Sequence, residues 1–396
     1  MAGEWTKTLI GDLADSISET HSFDKEQLIF LNTSDILQGK ILHRSYSPIK
    51  NFPGQAKKAI RKGDILFSEI RPANGRYAYV DTQADDYIVS TKLMVIRARS
   101  GVLSRYLYHF LTSRQITNWL QHLAESRSGT FPQITFDEVA SLEIDLPPKQ
   151  IQGAIVEFID AIDNKVELNR RMNETLEAMA RAIFKSWFVD GDPNEESGTV
   201  SDIVTLSRDT INPVKFPGET FDHYSIPAFD EGRLPKAETG EQIQSNKFIV
   251  PMGSVLLSKL NPRIPRLWLP NVSQTRRSIC STEFLVAIPK SDVSREYVYA
   301  LFKSSSFIDV FATLITGTSG SHQRVKPEYL LAMNMEVPAE ERTARYTALV
   351  KPLHERVALN LEESRTLAGL RDTLLPKLLS GELRVKNAET FMEKEL

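Results

Sequence analysis

Two stretches of the chain place apolar residues at steps that alternate between four and three. In the first, positions 155, 159, 162, 166, 169, 173, 176, 180, 183 and 187 read Ile, Ile, Ile, Val, Asn, Asn, Leu, Ala, Ile and Trp. That is a heptad seam sustained over about five heptads, the pattern of a coiled coil. Adding 191 gives Tyr346, Val350, Leu353, Val357, Asn360, Ser364, Leu367, Arg371, Leu374 and Leu378. Both seams turn polar in the middle, where Asn169 and Asn173 match Asn360 and Ser364. The spacing predicts two helices of ~35 residues, each ~50 Å long. If a two-fold relates them they run antiparallel, and Asn169 should face Asn360. Any shifted register would set a buried amide against an aliphatic chain, which costs ~1–3 kcal/mol.

Ahead of each helix the period changes. Ile65 to Ile70, Tyr77 to Val80 and Ile88 to Ile96 have the β-branched and aromatic content of short strands, as do Val255 to Leu260, Leu267 to Leu269 and Ile279 to Ile288. Tyr106 to Leu120 and Tyr297 to Phe311 return to helical spacing. Ser126 to Thr130 and Thr316 to Ser321 should be loops, and Asp190 to Gly198 an exposed connection. The expected segments are globular over 1–149 and 191–338, helical over 150–190 and 339–385, with a mobile charged tail at 386–396.

The two halves also repeat in sequence. Gly63 to Pro72 (GDILFSEIRP) returns as Gly253 to Pro262 (GSVLLSKLNP), an offset of 190 that also carries Arg76 onto Arg266. At 191, Ser90-Thr91 falls on Ser281-Thr282, and Ser128-Gly129-Thr130 on Ser319-Gly320-Ser321. A long period seen only twice is a duplicated domain, and the halves should superpose through a near two-fold. Gly63 and Gly253 need no role beyond a turn with positive φ. Two similar domains joined by helix suit a bipartite ligand, of which DNA is the commonest.

Composition narrows the class. The chain has 396 residues, one cysteine and a net charge of −3. The lone Cys280 excludes an internal disulfide framework and a multi-cysteine zinc site, and should be a buried small hydrophobe. A net negative charge does not suggest a nucleic-acid binder, yet residues 242–338 hold 11 Lys/Arg against 6 Asp/Glu. No run approaches the ~20 apolar residues of a membrane span, and Met-Ala-Gly-Glu-Trp lacks the features of a secretory signal. The expectation is a soluble, cytoplasmic protein.

Chemical signatures are absent. There is no phosphate loop, dinucleotide fingerprint or Asn/Asp-Pro-Pro-Tyr/Phe tetrapeptide, and the seven His residues have no metal-ligand spacing. No catalytic residue, resident cofactor or metal is therefore expected in this chain.

Several strings point to a family. Ala182 to Asp190 (AIFKSWFVD) and Leu374 to Val385 (LLPKLLSGELRV) resemble the ends of the two conserved helices in specificity subunits of type I restriction-modification enzymes. Tyr224 to Asp230 (YSIPAFD) and Leu257 to Arg263 (LSKLNPR) resemble stretches of a second target-recognition domain of that family. The resemblance implies an α+β chain with two pseudo-two-fold-related target-recognition domains joined by two long helices in an antiparallel coiled coil. It implies a non-catalytic subunit that reads a bipartite, asymmetric double-stranded DNA target with adenine methylated. Two methyltransferase subunits, and in the full assembly motor-nuclease restriction subunits, would bind it. S-adenosylmethionine, ATP and Mg would be used by those partners. The alternative is a coiled-coil scaffold without DNA specificity of its own, and a third class is a single-chain DNA enzyme.

Phosphate contact needs Lys or Arg, and base readout needs forked or amide side chains on exposed loops. The candidates in the first domain are Lys57, Lys58, Arg71, Arg76, Arg127, Ser128, Thr130 and Gln133. In the second they are Lys259, Arg263, Arg266, Arg276, Arg277, Ser321, His322, Gln323 and Arg324. The Ser-Gly-Thr/Ser loop could equally brace its domain against the following helix. Trp187 and Phe188 are either core or a docking surface. Asn169, Asn173, Asn360 and Ser364 are the candidates for setting helix register.

Overall fold

The computed structural model describes residues 5–127, 132–191, 196–316 and 323–395. It divides into two compact units, Met1–Lys165 with Thr366–Leu396, and Val166–Arg365. Each unit holds one globular stretch and part of each long helix. The bodies therefore divide inside the helices, not at the segment ends that periodicity suggests.

The long helices are Lys149–Phe188 and Glu340–Leu379, 40 residues each. The second continues through Pro352 and Pro376, although proline offers no N–H to the helix ladder. No seam position is exposed. Phe158, Phe184, Leu375 and Leu379, off the seam, are buried too, so the apolar stripe is wider than two heptad positions. Phe184 and part of the seam itself face the globular stretch. In the second unit Ala180, Phe184, Tyr346 and Val350 share one core with Val200, Ile203, Tyr297 and Val298. Trp187 and Phe188 pack against that core.

Both units use one sheet plan. In the first, Ala14–Ile17, Leu93–Ala98, Ile65–Ser68 and Tyr77–Tyr79 form an antiparallel sheet in that order. In the second, Val204–Ser207, Phe284–Pro289, Val255–Ser258 and Leu267–Trp268 do the same. Each unit adds a mixed sheet around one parallel pair, Gln27–Leu31 with Tyr87–Ser90 and Thr220–Tyr224 with Ser278–Cys280. A two-stranded ribbon leads into each long helix, Thr6–Leu9 with Glu143–Leu146 and Glu196–Thr199 with Asn334–Val337. The mixed sheets differ at their margins. The second unit has an additional edge strand, Thr210–Ile211, and a helix, Ile226–Asp230, where the first has the small hairpin Ile36–Leu37 and Lys40–Ile41.

Several expectations need correction. The strand expected over Ile88 to Ile96 is two strands in different sheets, Tyr87–Ser90 and Leu93–Ala98, and its counterpart divides likewise. The cause is a serine at the break. Ser90 Oγ accepts from Lys92 N at 3.2 Å and Ser281 Oγ from Glu283 N at 3.3 Å, closing a tight turn that passes the chain between sheets. Serine also divides the shorter helices, at Ser113 between Ser104–Thr112 and Arg114–Arg127, and at Ser304 between Arg295–Lys303 and Ser305–Phe311. Ser304 Oγ caps the second helix by accepting from Phe307 N. Part of the expected connection Asp190 to Gly198 is strand, from Glu196 onward. The tail, expected to be mobile, forms a helix, Val385–Glu395, with Ala388 fully buried. Cys280 is buried on its strand, and burial pushes its thiol up to about 12.

Candidate nucleic-acid interface and helix register

The repeated strings Gly63 to Pro72 and Gly253 to Pro262 end in the same unusual loop. Arg71 adopts φ 45° and ψ 74°, and Asn261 φ 48°, left-handed backbone just before a proline. A pre-proline residue strongly prefers extended backbone, and a left-handed side-chain-bearing residue costs of order 1–2 kcal/mol. Both loops are held by the same bonds. Ser68 Oγ accepts from Ile70 N at 3.1 Å and Ser258 Oγ from Leu260 N at 3.2 Å, each serine being buried. Arg71 N donates to Pro132 O at 3.1 Å and Asn261 N to Gln323 O at 3.0 Å.

The candidate residues separate around these loops. Lys57, Arg71 and Arg263 are exposed. Arg76 instead donates from Nη1 to Ser34 O and Ile36 O at 3.0 and 3.1 Å, and Arg266 grips Asp230 with two bonds of 2.8 Å. These equivalent arginines tie the loop to the segment beside it. Lys58 Nζ donates to Leu93 O at 2.8 Å, and burial lowers its pKa. Arg127 pairs with Glu138, Arg276 with Asp222 and Arg277 with Glu219, the last guanidinium stacked 4.3 Å from the Phe216 ring. Ser128, Thr130, Ser321 and His322 lie outside the described residues, so the Ser-Gly-Thr/Ser loop has no geometry here.

Three residues meet at the foot of each loop. In the first unit Gln133 Nε2 donates to Glu69 Oε2 at 3.0 Å, and Glu69 N to Lys92 O at 3.2 Å. In the second, Arg324 grips Glu283 at 2.9 and 3.0 Å, and Lys259 N donates to Glu283 O at 2.9 Å. Gln133, Lys259 and Arg324 are among the candidates for DNA contact, whereas Glu69, Lys92 and Glu283 are not. The signal was available, because Glu69 aligns with Lys259 at 190 and Lys92 with Glu283 at 191.

The polar layer of the helices lies within the second unit. Asn360 Nδ2 donates to Asn173 Oδ1 at 2.8 Å. Asn169 Nδ2 reaches Glu363 Oε2 at 2.8 Å, Ser364 Oγ at 3.2 Å and Asn360 O at 3.4 Å. Asn169 and Asn360 therefore meet in an antiparallel layer, but the amide–amide bond is Asn173 with Asn360. Pairing 169 with 364 and 173 with 360 is reciprocal under the offset of 191. The Oδ1 atoms of Asn169 and Asn360 are buried without a partner. Arg371 is a second polar seam position. It lies within the first unit, where Nη1 donates to Asp163 Oδ1 at 2.8 Å.

Each globular stretch is bolted to its helices by charge. In the first unit Asp160 accepts from Arg105 Nε at 2.9 Å and lies 2.8 Å from His109 Nε2. Burial raises its pKa, but His109 and Arg105 outweigh that and hold the carboxyl below its ordinary value. His109, Asp160 and Asp163 approach within 4.8 Å, a grouping that could hold a cation, but Arg105 and Arg371 already face both carboxylates. In the second unit Glu177 accepts from Arg233 at 2.7 Å and Lys303 at 2.8 Å. Burial raises the Glu177 pKa, and the two cations lower it further than burial lifts it.

Comparison with known proteins fits this frame. A family described as the type I restriction modification DNA specificity domain matches residues 2–178. The type I restriction enzyme HindI specificity subunit of Haemophilus influenzae is 31% identical over 458 aligned residues, covering 96% of this chain and 100% of the relative. The chain belongs to the specificity subunits of type I restriction enzymes. The MjaIX specificity subunit of Methanocaldococcus jannaschii is 23% identical, covering 82% of this chain and 78% of that one. A crystal structure of the type I restriction-modification S subunit from M. genitalium shares the fold, with a TM-score of 0.59 at 14% identity over 95% of this chain and 96% of the other. Among the described residues no helix of this specificity subunit is long and apolar enough to cross a membrane.

Proposed function

We propose that this specificity subunit reads a bipartite, asymmetric DNA target, one part with each unit, and has no catalytic activity of its own. The observation that carries this reading is the same sheet plan ending twice in the same strained, solvent-facing loop, with different side chains at its foot. A scaffold needs no duplicated loop of that kind, whereas a reader of two unlike half-sites does. The unread spacer between the half-sites is set by the helix pair, whose polar layer favours one register. Exposed Lys57, Arg71 and Arg263 are the first choices for DNA contact, since their cations are turned to solvent.

In this reading the partners are two methyltransferase subunits and, in the full assembly, motor-nuclease subunits, all in the cytoplasm. S-adenosylmethionine, ATP and Mg act in those partners. The test is methylation-aware sequencing of a host lacking other methyltransferases, expressing this chain with its cognate methyltransferase subunit. One split motif with a fixed gap is the expected result. A continuous motif, or methylation without sequence preference, would overturn the reading.

A further inference from the structure

The same loop with different feet singles out the residues that decide sequence. Everything that shapes the loop is duplicated: the buried serine, the left-handed residue, the proline after it and the bond to the returning strand. The polar chemistry at its foot is not. Glu69, Lys92 and Gln133 in the first unit become Lys259, Glu283 and Arg324 in the second, so acid and lysine have changed places.

An exchanged ion pair is the simplest account of such a reversal, and the geometry speaks against it. In neither unit does the acid pair with the lysine. Glu69 accepts from Gln133, and Glu283 accepts from Arg324. Neither Lys92 nor Lys259 takes part in an ion pair among the described residues. In each unit the acid instead bonds the planar donor, which lies on the segment bridged to the loop, Ile70 to Gln133 and Leu260 to Arg324. A planar side chain oriented by a carboxylate is an arrangement suited to base readout.

We propose that Gln133 and Arg324 are the base-reading residues of the two units, with Glu69 and Glu283 as their positioning residues. This rests on the bipartite reading above. The amide of Gln133 suits adenine, through N6 and N7, and the fork of Arg324 suits guanine, through O6 and N7. Lys92 and Lys259 supply cation beside the read base, on opposite sides of the loop in the two units. The charge reversal makes the two half-sites unlike while the loop stays the same.

The test is methylated-base sequencing in the same host, with the full chain and its methyltransferase subunit. Gln133→Ala should relax one adenine in one half of the motif, and Arg324→Ala one guanine in the other half. Discrimination at that position should fall about ten- to a hundredfold. Arg324→Lys keeps the cation but not the fork and should relax the same guanine, which settles the matter if the alanine variant fails to fold. Glu69→Gln should relax the same adenine as Gln133→Ala but less completely, a pattern that a merely structural role would not give. An unchanged motif in both reader variants, or methylation weakened evenly at every position, would overturn the assignment. Absence of any split motif with the unaltered chain would instead overturn the bipartite reading.

Discussion

The two units attach to the same helices through carboxylates of the first helix, but at positions that the duplication does not relate. In the first, two carboxylates of the first helix, Asp160 and Asp163, draw in Arg105 and His109 from the globular stretch and Arg371 from the second helix. At an offset of 191 these positions become Lys351, His354, Glu296, Ala300 and, for Arg371, Ala180. The second unit has lost that network. Its anchor is Glu177, gripped by Arg233 and Lys303, while His354 is half-buried beside Tyr299, its Nδ1 shielded and unpartnered. Burial pushes His354 down to about 4, with Glu296, Lys303, Glu177 and Arg295 as the charges around it. Shape is what the duplication preserved, since the apolar seam and the sheets coincide. The charges were free to be rearranged so long as each buried one kept a partner.

The largest effect should come from removing the second unit's anchor. Glu177 is 14% exposed, and Glu177→Ala would leave Arg233 and Lys303 against the helix without a counter-charge. We expect a loss of about 3 kcal/mol, at the low end for buried pairs because both cations can turn to solvent. Urea melts give the total, and hydrogen exchange should place the loss in 166–365. Protection lost equally in both units would break the comparison.

Acid should separate the units next. His354 has a folded pKa near 4 against ~6.5 unfolded, so between these values the unfolded chain binds more protons. Stability thus falls as pH drops, by about 2 kcal/mol from pH 7 to pH 5. His354→Phe should flatten that slope. In the first unit the depressed group is Asp160, whose contribution is complete above the ordinary carboxylate range and is lost only as pH falls through it. Asp160→Asn should therefore cost about 1–2 kcal/mol at pH 7, and the cost should shrink as pH falls below the ordinary carboxylate value through the lowered folded one. Equal acid sensitivity of the two units near pH 5, read by hydrogen exchange, would contradict both assignments.

How legible this was in the sequence depended on whether a feature is periodic. The long helices, their seams and the polar layer followed from spacing, because burial on a helix repeats every three to four residues. The breaks at Ser90, Ser281 and Ser304 did not, since one hydroxyl bonding to the backbone overrides an apolar run without changing its pattern. Charge partners were the least legible. Arg76 and Arg266 looked like surface cations, yet their bonds run to a neighbouring segment 36 to 42 residues away in the chain. The strained loop lay between these cases. Its repeated string was visible, but nothing in Arg71 or Asn261 announces left-handed backbone before a proline.

The smallest expected change in stability carries the sharpest functional consequence. The Oδ1 atoms of Asn169 and Asn360 are buried and unpartnered, so the layer is bound less well than its four side chains could allow. Removing both amides, as Asn169→Leu with Asn360→Leu, should leave stability unchanged or raise it by up to about 1 kcal/mol. What it removes is the cost of sliding. With Asn173 facing Leu in place of an amide, a shift along the seam no longer parts a bonded pair, and apolar residues tolerate one another in several registers. If register fixes the gap between half-sites, methylation-aware sequencing of the double variant should show sites with more than one spacer length, each half-motif still read in full. A single unchanged spacer would confine the asparagines to packing. Blurred half-motifs would mean that the layer acts on the units themselves, and the division between reading and spacing would fail.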